Sequence, residues 1–92
     1  TIFREILSNV PEKQKELLYA IAIDGESSSI TSSAFIRRHR LSSASSVQSA
    51  VKKLLEKDLV TVSHKVYSIS DRFFALWLAT QMGPDDPLQS LV

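Results

Sequence analysis

Cysteine is absent from the chain, which excludes a disulfide framework and thiolate chemistry. Glycine is scarce, with Gly25 and Gly83 as its two examples, so a glycine-rich phosphate loop cannot be assembled from these residues. Histidine is scarce as well. His39 and His64 stand far apart in sequence and without a cluster of acidic partners, whereas a metal centre needs three or four converging ligands. No apolar run is long enough to span a bilayer, and the first residues lack the pattern of a secretory signal. Ser49-Ala50-Val51-Lys52 has the serine–lysine spacing of some acyl-transfer enzymes, but the companion motifs are missing and a helix that buries Ala50 and Val51 already explains it. The expectation from these gaps is a cytoplasmic chain with no catalytic site, no cofactor of its own and no membrane contact.

What is present suits one small globular domain. Its 92 residues are 43% hydrophobic and 23% charged, and a domain of this size buries about 60–65% of its unfolded surface, so its stability margin is thin. The net charge is +1 but unevenly placed. Between residues 37 and 65, Arg37, Arg38, Arg40, Lys52, Lys53, Lys57 and Lys65 face only Glu56 and Asp58. The rest of the chain has Arg4, Lys13, Lys15 and Arg72 against eight acids. A basic segment on a near-neutral domain points to an anionic partner.

The most informative segment lies inside that basic region. Val47, Ala50, Val51, Leu54 and Leu55 recur at i, i+3, i+4, i+7 and i+8, the spacing of one buried helical stripe. Ser45, Ser46, Gln48, Ser49, Lys52 and Lys53 fall on the opposite face. Ser43 is placed to cap this helix, which should end near Lys57-Asp58. Upstream, Pro11 suits a helix's first turn and Gly25 its stop, giving a helix at about 11–24 that buries Leu17, Leu18, Ile21 and Ala22. A short strand or single bridge is expected at Ile30. Ser32 or Ser33 should cap a short helix reaching about Arg40 and burying Ala34, Phe35 and Ile36.

Downstream, residues 59–63 and 66–70 are rich in β-branched and aromatic side chains and read as paired strands. The His64-Lys65 connection lacks the glycine or asparagine that a two-residue hairpin prefers, so either the turn is longer or one residue takes positive φ. Asp71 should cap a last helix holding Phe73, Phe74, Leu76, Trp77 and Leu78. Its aromatics are expected in the core rather than as a stacking platform for bases. Residues 1–10 read as the end of an upstream helix or a linker, 11–82 as the domain and 83–92 as an irregular tail. The opening in mid-helix suggests a piece of a longer protein.

Helix, short helix, helix and two-stranded wing is the order of a winged helix-turn-helix, mainly α with a small β-hairpin. In such folds the second helix of the motif enters the major groove and its N-terminal residues face base edges. Ser45, Ser46, Gln48 and Ser49 would then meet bases. Lys52, Lys53, Arg37, Arg38 and Arg40 would meet phosphates, and His64 and Lys65 would reach the flanking backbone from the wing tip. The same fold also serves as a protein–protein module, so double-stranded DNA and a protein both stand as partners.

Two blocks also carry a resemblance. Residues 41–60, with Ser46-Val47-Gln48 and Leu54-Leu55-Glu56-Lys57 at their centre, and residues 67–78, with Asp71, Phe73-Phe74 and Trp77-Leu78, look like the C-terminal winged-helix region of archaeal-type P-loop ATPases of the AAA superfamily. The resemblance implies an ATP- and magnesium-binding domain upstream in the same polypeptide, with this non-catalytic domain last. The chain departs from that pattern at Ala44, where proline is common, at Asp58, where glycine is frequent, and at His64-Lys65, where the wing often contains glycine. The alternative reading is the DNA-binding domain of a transcriptional regulator. A Gly-x-x-x-x-Gly-Lys-Ser/Thr segment upstream would distinguish the two.

Overall fold

In the computed structural model, which describes residues 2–81, the chain runs α1 (Ile2–Ser8), α2 (Glu12–Asp24), β1 (Glu26–Ser27), α3 (Ser33–Arg38), α4 (Ala44–Glu56), β2 (Val60–Ser63), β3 (Val66–Ile69) and α5 (Arg72–Thr80). Short polar side chains fix three helix starts by accepting otherwise orphaned backbone N–H groups. Ser32 Oγ accepts from Phe35 at 3.1 Å and Ser43 Oγ from Ser46 at 3.1 Å. Asp71 Oδ1 accepts from Phe73 at 2.8 Å and Phe74 at 3.3 Å. The expected tail at 83–92, with its Gly83-Pro84 break and its Ser90-Leu91-Val92 end, lies outside the described residues.

Three of the five helices, α2, α3 and α4, end in left-handed backbone. Gly25 stops α2 at φ 82°, its N–H donating to Ile21 O at 2.9 Å. The other two ends place a side chain where glycine is preferred. Arg40 takes φ 56° after α3, and Leu41 N–H closes onto Ile36 O at 2.8 Å. Asp58 takes φ 60° after α4, and Leu59 N–H closes onto Leu54 O at 3.0 Å. The Arg40 turn ends α3 at Arg38, short of the expected Arg40.

The sheet is antiparallel in the order β1-β3-β2. Val60 pairs with Ile69 and Ser63 with Val66, leaving His64 and Lys65 as a two-residue turn. Both take positive φ, 52° and 66°, the geometry that matches hairpin twist. One strained residue was one too few. The third strand is Glu26–Ser27, paired with Ser68 and Tyr67, and not Ile30. Ile30 is a buried anchor in the following turn. An isolated apolar side chain in a polar segment marks burial without marking pairing.

The core joins Leu17, Leu18 and Ile21 of α2 to Phe35 of α3, Val47, Ala50, Val51 and Leu54 of α4, Val60 and Ile69 of the sheet, and Phe74 and Leu78 of α5. Ala34 is exposed, contrary to expectation. On α5, Phe73 is 70% and Leu76 58% exposed, so neither belongs to the core. Only the i, i+4 pair Phe74 and Leu78 points fully inward, with Trp77 half-buried beside them. The helix α1 lies on this corner. Phe3's ring centre is 5.3 Å from Phe74 and 5.9 Å from Trp77, and Ile6 and Leu7 also pack on the core.

Candidate functional site

The amphipathic reading of α4 sets the site. Its inward stripe of Val47, Ala50, Val51 and Leu54 is buried, and Ser45, Gln48, Ser49, Lys52 and Lys53 are exposed on the other side. The first turn is knitted internally. Ser42 Oγ donates to Ser46 Oγ at 3.1 Å, and the hydroxyls of Ser43 and Ser45 lie 3.3 Å apart. Ser46 is therefore half-buried and tied to the cap. Beyond it, Gln48 and Lys52 continue the outward line that begins at Ser45, at the i, i+3, i+7 spacing of one face. Gln48 has the amide geometry that pairs with adenine, and serine can bond to any base.

The arginines divide. Arg37 and Arg40 are exposed. Arg38 is exposed as well, but it is paired at the surface: its Nη2 donates to Asp24 Oδ2 at 2.7 Å, its Nε donates to His39 Nε2 at 3.4 Å, and its guanidinium lies 5.8 Å from the Phe35 ring centre. His39 completes this tie, with Nε2 3.1 Å from the same carboxylate oxygen and its ring 4.6 Å from Phe35. Arg38 thus fastens the end of α3 to the end of α2. Sequence adjacency to Arg37 and Arg40 says nothing of this pairing with the distant Asp24. At the wing tip His64 and Lys65 are exposed, with His64 Nδ1 3.2 Å from Ser63 Oγ.

The structure adds residues that the sequence pattern did not select. Lys13 and Gln14, in the first turn of α2, line a groove with Ser46, Ser49, Ala50 and Lys53 of α4. Lys57 Nζ donates to Gln14 Oε1 at 2.8 Å, joining the two helices at their polar edge. Only the packing of α2 on α4 brings these side chains together. Their separation in sequence hid them, and Lys13 lies in the part of the chain where acids predominate.

Among the described residues, no three histidine or carboxylate groups gather as a metal site. None of the described helices is long and apolar enough to cross a membrane. The arrangement that remains is a small helical domain with an antiparallel wing and a polar, partly cationic helix face directed outward, which defines a winged helix-turn-helix. Residues 1–80 match the family model described as "Probable winged helix domain", and the chain belongs to that winged-helix family. The match includes α1 with the rest of the fold. No curated protein and no solved structure matches the chain.

Proposed function

We propose that this is a non-catalytic contact domain whose α4 takes double-stranded DNA, and that it serves a larger, cytoplasmic P-loop ATPase that binds ATP and magnesium elsewhere in the polypeptide. The observation that carries the DNA contact is the exposed line Ser45, Gln48, Ser49 and Lys52 on a helix whose other side is locked into the core. Base-edge hydrogen bonders stand near the N-terminal end and cations follow, the order that a major-groove helix requires. Arg37, Arg40, Lys53, His64 and Lys65 supply charge for phosphates around it. The ATPase setting is supported by the order of the two sequence blocks at residues 41–60 and 67–78. An upstream Gly-x-x-x-x-Gly-Lys-Ser/Thr segment in the complete reading frame tests that setting directly.

The DNA contact is tested by fluorescence anisotropy with labelled duplexes over a salt series. The logarithm of affinity should fall linearly with the logarithm of salt, with a slope of about −0.9 per phosphate neutralised. Lys52→Glu combined with Lys53→Glu should abolish most of that binding. A double variant that binds as the parent does would remove α4 from the interface, and a parent that binds no duplex would direct the search to a protein partner.

A further inference from the structure

The groove between α2 and α4 has no part in the reading drawn from the sequence, yet it runs beside the helix face that carries that reading. It encloses about 430 Å³ and is lined by Lys13, Gln14, Ser46, Ser49, Ala50 and Lys53. Ser46, Ser49 and Lys53 form a stripe at i, i+3 and i+7 of α4. The neighbouring stripe of Ser45, Gln48 and Lys52 centres the face turned to the duplex, with Ser49 on the border between the two, so the groove flanks that face on the α2 side. A helix seated in a major groove about 12 Å wide has a phosphate strand along each flank.

We infer that this groove holds the sugar–phosphate backbone of the duplex whose bases meet α4, with Lys13 as its principal cation and Gln14 as the residue that fixes its wall. The inference rests on the DNA reading above and extends it to residues outside the basic segment. Charge and mobility favour a phosphate there. Lys13 Nζ lies 3.9 Å from Glu16 and Lys53 Nζ 3.7 Å from Glu56, both i, i+3 pairs in which the lysine is exposed and the glutamate at least partly so. Such pairs hold a lysine weakly, so either ammonium can turn to a phosphate oxygen without breaking a strong bond. Lys57, fastened to Gln14, adds a third cation at the edge. The serine hydroxyls and the Gln14 amide supply neutral donors, which commonly complete backbone contacts.

The test compares the parent chain with Lys13→Ala, Lys13→Arg and Gln14→Ala in anisotropy titrations on several duplexes of unrelated sequence. Thermal melts establish that each variant is folded. Lys13→Ala should make the salt slope shallower by about 0.9 and weaken every duplex to the same extent, as loss of one phosphate contact does. Lys13→Arg should keep the parent's slope. Gln14→Ala should weaken binding by less and leave the slope nearly unchanged. If the parent binds DNA and Lys13→Ala retains its affinity and slope, the groove is not a backbone contact, although the α4 reading stands. If the parent binds no duplex, both are overturned.

Discussion

Asp58 offers a substitution whose sign runs against the usual trend of mutation. It sits just after α4 at φ 60°, with its N–H on Leu55 O at 3.1 Å and the next N–H on Leu54 O at 3.0 Å. A left-handed backbone costs an L-residue about 1–2 kcal/mol, and aspartate falls at the lower end because it tolerates that region. Its carboxylate also lies by the negative end of the α4 dipole, where an anion loses about 0.3–1 kcal/mol, and the smaller figure suits an exposed position. Glycine removes both costs. Against this, its freer unfolded chain takes back about 0.4–1 kcal/mol. Asp58→Gly should therefore stabilise the domain by about 0.3–0.9 kcal/mol, raising Tm by about 1–7 °C for a chain of this length. Urea unfolding followed by circular dichroism should show a higher midpoint with an unchanged slope. Asp58→Ala, which removes the charge but tolerates the left-handed backbone less well than aspartate, should bring no net gain. A midpoint that falls in Asp58→Gly would refute the assigned helix end.

Arg40 occupies the equivalent position after α3 but is a cation that the helix end favours, so Arg40→Gly should raise stability by less than about 1 kcal/mol while making the salt slope of DNA binding shallower by about 0.9, a trade-off read by urea melts and anisotropy on the same sample. Phe74→Ala should cost about 3–5 kcal/mol, because the ring is 2% exposed and packed against Phe3 and Trp77. Phe73→Ala, at an exposed position, should stay within about 0.5 kcal/mol in the same urea assay. Burial, and secondarily Glu12, raises the pKa of the Tyr19 phenol above its ordinary 10.0. The unfolded chain then loses this proton first as pH rises through about 10, so the folded state binds more protons and stability falls with pH in that window. Tyr19→Phe should lessen that alkaline loss in melts collected across the range.

The sequence made α4 legible because periodicity, cap and charge agree along one uninterrupted segment. Ser43, most of the buried stripe and Ser45, Gln48, Ser49, Lys52 and Lys53 stand where their spacing puts them, while Leu55 and Ser46 are half-buried. The hairpin and the Asp71 cap were legible for the same local reason. What escaped depended on remote packing. Phe73 and Leu76 are as apolar as Phe74, and only the angle at which α5 meets α2 decides which of them is covered. The two-residue strand Glu26–Ser27 carries no β-branched side chain and exists because β3 offers it an edge. The surface pair between Arg38 and Asp24, fourteen positions earlier, was likewise invisible in the local pattern. Lys13 and Gln14 joined the candidate interface through a contact between helices that no local pattern encodes.

The outward face of α4 as a DNA-reading surface is tested most directly by amide NMR of the chain titrated with a short duplex at low salt. Perturbations should concentrate at Ser45, Gln48, Ser49 and Lys52, reach His64 and Lys65 at the wing, and fade as salt is added. Saturable shifts confined to α1 and α5, with α4 unmoved, would contradict that assignment.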